Sequence, residues 1–204
     1  MTGTLSYDEY LRLDDVLGAQ HPLTPRADAE VHAAERFFII CHQTSELWLS
    51  QVYADLRLAA ELVGRRELDR AVPSVRRAGA ILDLIIATLR GMDHLSRDHF
   101  DAFRPGLDGA SGAQSAGFGM LLKGLDNPYV WELSRRLQEC DPREVGPDRL
   151  VRAWDELDEF LARTEAWRGL HVDAARRLVG GRRGTGGTSG VSYLEDRRGA
   201  LAAG

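Results

Sequence analysis

Apolar residues recur along this chain at three- and four-residue intervals, and no stretch shows the strict alternation of a half-buried strand. Near the N-terminus Tyr10, Leu13 and Leu17 share one face of a short helix. His21-Pro22-Leu23-Thr24-Pro25 interrupts it, with Thr24 placed to cap the next helix and Pro25 at that helix's first position. The spacing then predicts a long helix over residues 27–63, ended by Gly64-Arg65-Arg66. A second runs over 67–92 on the stripe Leu68, Val72, Val75, Ala78/Gly79, Leu82 and Ile85/Ile86, with Pro73 predicting a kink or a later start. Residues 94–112 read as a loop with one helical turn capped by Ser96. Further helices are predicted over 113–125, weakened by Gly117 and Gly119, and over 128–139, opened by Pro128. Asp141-Pro142 and Gly146-Pro147 mark turns. The last long helix covers 148–178, its stripe running Leu150, Trp154, Leu157, Phe160/Leu161, Thr164, Trp167, His171, Ala174/Ala175 and Leu178. A glycine-rich loop over 180–192 follows. The expected fold is all-α: one helical bundle spanning residues 1–204.

The most apolar run, Phe37-Phe38-Ile39-Ile40-Cys41-His42-Gln43-Thr44-Ser45-Glu46-Leu47-Trp48, lies inside the first long helix. Apolar residues on nearly every side of 37–41 predict a helix surrounded by protein. Phe38 and His42 are four apart and share a face. A titratable ring in that setting is costly without a partner, and the ordinary reading of such a residue is a core histidine bonded to a buried carbonyl.

Composition narrows the function classes. A formal net charge of −5 argues against nonspecific nucleic-acid binding. Lysine occurs once, at Lys123, so the arginines reflect a compositional bias more than a phosphate-binding surface. Cys41 and Cys140 form neither a metal-ligand spacing nor a disulfide framework. No leader pattern and no apolar run long enough to span a bilayer is visible, so a cytoplasmic, membrane-free protein is the expectation.

His171 lies on the last apolar stripe, one turn after Trp167, where a lone histidine is more often a satisfied core residue than a ligand. Helical proteins commonly hold haem through one histidine projecting into an apolar cleft, and His42 would give such a cleft a polar group on its other side. The 181–190 loop lacks the lysine and preceding strand of a phosphate-binding loop, and reads either as a linker or as a segment whose Thr185 and backbone meet an anionic ligand. Arg104, in a glycine-flanked irregular segment, carries the fork suited to gripping a carboxylate. His94 and His99 are read as surface residues.

Four ordered segments together resemble the tryptophan 2,3-dioxygenase family of haem enzymes. They are Tyr7-x-x-Tyr10-Leu11-Arg12-Leu13-Asp14, the run from Phe38 to Trp48, Phe103-Arg104 with Ser111-Gly112-x-Gln114-Ser115, and His171 followed by Arg183-Gly184-Thr185-Gly186-Gly187-Thr188-Ser189-Gly190. The resemblance implies a helical haem-b protein that uses O2 and an aromatic amino acid. It implies His171 as axial ligand of the haem iron with Trp167 beside it, and His42 as the distal group meeting the substrate's indole N–H. Phe38 would pack on the ring, Arg104 would pair with the substrate carboxylate, and Thr185 would bond the carboxylate or ammonium. Tyr7, Tyr10 and Leu11 match positions that line a neighbouring subunit's pocket, implying a homo-oligomer, dimer or tetramer.

Two departures from the family pattern stand out. The chain is short between Trp131 and Asp148, where a helical excursion is missing, and Phe100 stands where the family has a tyrosine. Compact relatives act on substituted tryptophans or on tyrosine, and some insert one oxygen atom. The expected function is therefore a haem-dependent oxygenase of L-tryptophan or a substituted tryptophan such as β-methyltryptophan, giving an N-formylkynurenine by dioxygenation or an oxindole by monooxygenation. The alternatives are a non-catalytic haem or aromatic amino-acid binding protein, a tyrosine hydroxylase, and a plain helical interaction module.

Overall fold

The computed structural model describes residues 5–180, 182, 191, 192 and 194, with the Ala113 side chain outside that set. Nine α-helices are described: α1 (Tyr7–Leu11), α2 (Leu13–Leu17), α3 (Ala29–Gly64), α4 (Leu68–Gly91), α5 (Arg97–Phe103), α6 (Ala116–Leu121), α7 (Pro128–Gln138), α8 (Pro142–Val145) and α9 (Pro147–Leu178). No strand occurs among the described residues. None of their helices is long and apolar enough to cross a membrane.

Three long helices set the frame. The turn at Arg65–Glu67 reverses the chain, so α3 and α4 pack antiparallel, and α4 packs on α9 along nearly its whole length. The α4–α9 pairing is parallel. Its ion pairs climb both helices together, from Asp69 with Arg149 and Arg152, through Arg76 with Glu156 and Asp83 with Arg163, to Asp93 with Arg177. Exposed pairs of this kind contribute little stability, about 0–1 kcal/mol each, but they agree on one register. The stability comes from the seam beneath. Leu49, Val52, Leu56, Ala78, Leu82, Ile85, Leu133, Leu157 and Phe160 are all buried, at about 1.5–3 kcal/mol for each large side chain removed from water.

A second apolar cluster closes one end of the bundle: Cys41 of α3, Met92 and Leu95 after α4, Phe100 and Phe103 of α5, and Leu178 of α9. Arg177 joins these pieces by donating to the carbonyls of Met92 and Leu95. Asp55, 1% exposed, ties α3 to α4 by accepting from both Nε and Nη2 of Arg77, with Gln51 as a further donor.

Several local expectations are corrected. Thr24 does not cap the first long helix. Its hydroxyl donates to buried Glu35, which also accepts the N–H groups of Leu23 and Thr24, and the helix starts at Ala29 without a side-chain cap. The N-terminal helix is two pieces, because Arg12 takes a left-handed conformation (φ 53°) between them. Pro73 lies inside α4 on its exposed side, where water can reach the carbonyl that proline leaves unbonded. His99 is half-exposed and stands 3.7 Å from Glu30. The Ser96 cap forms as expected, accepting from the His99 N–H at 3.1 Å.

Candidate active site

Where the two apolar clusters meet, four helices leave a cleft. Helical spacing supplies each wall: Cys41, His42 and Ser45 from α3, Thr88, Leu89 and Met92 from the end of α4, Phe118 and Leu122 from and just after α6, and Trp167 and His171 from α9. Gly112 completes the rim. The empty space is about 460 Å³, counting the part open to solvent.

The cleft is nearly free of available polar atoms. Ser45 donates back to the Cys41 carbonyl at 2.8 Å, and Thr88 to the Leu84 carbonyl at 3.0 Å, so both hydroxyls bond within their own helices. Burial pushes the Cys41 thiol up and keeps it neutral. The imidazoles remain. His42 Nδ1 lies 2.8 Å from the Phe38 carbonyl, an acceptor only, so Nδ1 carries the proton and Nε2 keeps its lone pair. Burial lowers the His42 pKa, against the opposing pull of that carbonyl and of Glu46. His171 is pushed down to about 4, first by burial and then by the nearby His42. Its ring stacks on Trp167 (centroids 4.8 Å apart, planes at 15°), and its Nδ1 is buried without a hydrogen-bond partner among the described residues. Both rings are neutral near pH 7, and a neutral imidazole is the form that binds a metal.

An aromatic group extends from the cleft. Phe38 lies 4.1 Å from His42, 5.9 Å from Phe100 and 5.4 Å from Phe103. Phe100 is buried, as its place in this cluster requires. Arg104 follows Phe103 directly, opens the 3-10 turn Arg104–Leu107 and is half-buried, but it does not line the cleft. Tyr7 and Tyr10 are 73% and 71% exposed, and neither they nor Leu11 line the cleft of their own chain. Thr185 lies outside the described residues. Three positions before it, Arg182 donates to Asp101 of α5 at 2.5 Å. Sequence reasoning did not reach Glu46, whose partners are Ser115, Gly117 and Phe118. It stood out only as a polar residue in an apolar run, with no signal for groups some seventy positions away.

Among the described residues no group of three or more His, Cys, Asp or Glu side chains could hold a metal ion. A metal in this cleft would rest on one or two imidazoles and would have to bring its remaining ligands with it, as the iron of a porphyrin does. An orphaned buried ring nitrogen, a neutral imidazole and an apolar wall fit such a group.

The described residues thus define a helical bundle in which two neutral imidazoles line one apolar cleft. Comparison with known proteins then fixes the family. The family model described as Tryptophan 2,3-dioxygenase matches residues 1–128, more than half of the chain. The tryptophan 2,3-dioxygenase of Pseudomonas aeruginosa (strain UCBPP-PA14) is 30% identical over 249 residues, covering 95% of this chain and 84% of the relative. That of Polaromonas naphthalenivorans is 29% identical over 246 residues, covering 93% and 85%. The chain belongs to the tryptophan 2,3-dioxygenase family. The 246 aligned positions take in 93% of this chain, about 190 residues, so about 56 residues of the relative (246 − 190) have no counterpart here.

Proposed function

We propose that this protein is a haem-dependent oxygenase of L-tryptophan or a ring- or β-substituted tryptophan. The observation that carries the reading is the pair of neutral imidazoles, His42 and His171, facing one apolar cleft from α3 and α9. Haem b, when bound, supplies the iron at which O2 is activated. His171 would hold that iron through its lone pair, with the stacked Trp167 fixing its ring plane. Phe118, Leu122, Leu89 and Met92 exclude water from the cleft.

The substrate is oriented by groups that differ in chemistry. His42 accepts the indole N–H at Nε2, because the Phe38 carbonyl keeps the proton on Nδ1. Phe38 packs on the ring, backed by Phe100 and Phe103. Arg104 grips the carboxylate through its fork. Thr185, three positions after an Arg182 that is tied to α5, bonds the amino-acid head. Tyr7, Tyr10 and Leu11 of a second subunit complete the pocket in a dimer or tetramer, which agrees with their exposure here. These contacts would turn the indole C2–C3 bond toward the part of the cleft that the haem would occupy, so the protein contributes position more than reacting groups. Both atoms of O2 added across that bond give an N-formylkynurenine. One atom added gives an oxindole, with the second leaving as water at the expense of two electrons from an external reductant.

The test is reconstitution with haem, followed by product analysis under labelled O2 with tryptophan, β-methyltryptophan and tyrosine. A Soret band abolished or strongly shifted by His171→Ala, with labelled oxygen in the indole product, is the expected result. Two labelled atoms mean dioxygenation, and one with reductant dependence means monooxygenation. A protein that takes up no haem refutes the reading. Binding of aromatic amino acids without product would favour a binding protein.

A further inference from the structure

Glu46 lies one turn beyond His42 on α3, half-buried, and its carboxylate engages a turn of chain about seventy residues away. Its Oε1 accepts from the Ser115 hydroxyl and, at 3.2 Å, from the Phe118 N–H, while Oε2 accepts from the Gly117 N–H at 3.2 Å. Glycine at residue 117 lets the carboxylate come this close: a Cβ there would lie 2.4 Å from Oε2, and the end of the Glu46 side chain would have to move off. From the other side the Gly117 carbonyl accepts from Tyr53 Oη at 2.8 Å, and Tyr53 is itself stacked on Tyr129. Capping alone does not explain Glu46, because Ser115 already caps α6 through its own hydroxyl. A six-residue helix containing Gly117 and Gly119 has little stability of its own, so tertiary ties decide where it sits.

What sits there is Phe118. Its ring meets His42 edge-on at 5.9 Å and stacks on Trp167 at 5.8 Å and 19°, and Trp167 stacks on His171. The four rings form one continuous row from α3 to α9. We propose that Glu46 is a positioning residue. By seating the Ser115–Phe118 turn on α3 it places Phe118 between His42 and Trp167, and so sets the spacing of the two histidines across the cleft. The inference rests on the proposed oxygenase reading for its consequence in turnover, but not for its structural content.

The experiment is a double-mutant cycle of Glu46→Ala and Gly117→Ala, read first by hydrogen exchange in haem-free protein and then by haem binding and tryptophan kinetics. Each single variant should speed exchange of the 116–119 amides at least tenfold while α4 keeps wild-type protection. In the Glu46→Ala background Gly117→Ala should add less than twofold, because the carboxylate it collides with is gone. Glu46→Gln, which keeps one acceptor oxygen, should be intermediate. In holoenzyme the tryptophan KM should rise at least tenfold, with kcat changing less and haem still bound. Unchanged exchange at 116–119, effects that multiply in the double variant, or accelerated exchange with wild-type KM would each overturn the proposal. Should Glu46→Ala lose protection throughout the chain, Gly117→Ala, which keeps the carboxylate, decides by the same exchange criterion. If the wild type forms no product the oxygenase reading falls, while the exchange cycle still shows whether Glu46 seats Phe118.

Discussion

Glu35 is the sharpest place to perturb the N-terminal linker. It is 3% exposed and accepts from the Leu23 N–H, the Thr24 N–H and the Thr24 hydroxyl, at 2.8, 2.8 and 2.5 Å. Glu35→Ala strands three donors. At up to about 1–3 kcal/mol for each donor left unsatisfied, and less for the Leu23 N–H because Leu23 is 69% exposed, staying docked would cost the linker up to about 9 kcal/mol. The remaining ties are His32 to the Thr24 carbonyl, Gln43 to the Ala19 carbonyl and Gln20 to Gln43. At about 0.5–1.5 kcal/mol each they supply about 1.5–4.5 kcal/mol, so the linker should detach and rehydrate its donors. Detachment limits the damage: the bundle core is untouched, and the melting temperature should fall by about 2–4 °C for each kcal/mol of docking free energy forfeited, with the transition still cooperative. Trypsin should cut at Arg26 at least tenfold faster than in wild type. Acid should mimic the substitution. Burial would raise the Glu35 pKa, but the bonds from Thr24 and Leu23, with His32 nearby, hold it below the ordinary 4.5. Its contribution is therefore whole above about pH 4.5 and is lost as pH falls through the lowered folded value. Wild-type cleavage rates at Arg26 in the variant, or a large loss of cooperative melting, would refute the reasoning.

Other substitutions separate the parts of the site. Asp55 is buried while Arg77 is more than half exposed. Arg77→Ala, which leaves a buried carboxylate, should cost about 3–5 kcal/mol in urea unfolding, and Asp55→Ala, whose arginine can turn to water, about 1–3 kcal/mol. Arg104→Leu should raise the tryptophan KM by at least tenfold with the haem spectrum intact, and wild-type kinetics would remove Arg104 from carboxylate recognition. Phe100→Tyr should cost about 1–3 kcal/mol in the free protein, because it brings a hydroxyl into a buried aromatic cluster. That loss should shrink in saturating tryptophan if the hydroxyl meets the substrate's polar end, as a thermal shift would show.

Long-period features were legible in the sequence. The helices expected over 27–63, 67–92 and 148–178 appear at Ala29–Gly64, Leu68–Gly91 and Pro147–Leu178 because their stripes run for six turns or more. Short-range cues did worse where a distant partner competed. Thr24 looked like a cap until Glu35 took its hydroxyl, and no local pattern announces that exchange. Tyr10, Leu13 and Leu17 gave a helical stripe, yet no described core covers Tyr10 or Leu17, and the helix breaks at Arg12. In the site, His42 and His171 were conspicuous as histidines on apolar stripes, but position alone favoured core roles and only the resemblance to the family gave them site roles; the structure brings both to one cleft. Glu46 was missed because its role exists only through Gly117 and Phe118.

The hydroxyls of Ser45 and Thr88, each turned back on its own helix, decide what this wall can distinguish. With those protons committed, the wall offers a ring no hydroxyl donor, and away from His42 Nε2 it measures an aromatic ring largely by bulk. Bulk is a weak criterion, since one methylene more or less is worth about 1–3 kcal/mol. A methyl or halogen on the ring that fits the available width should be accepted almost as readily as hydrogen. The same catalyst should be tolerant at the aromatic end of its substrate and exacting at the amino-acid end.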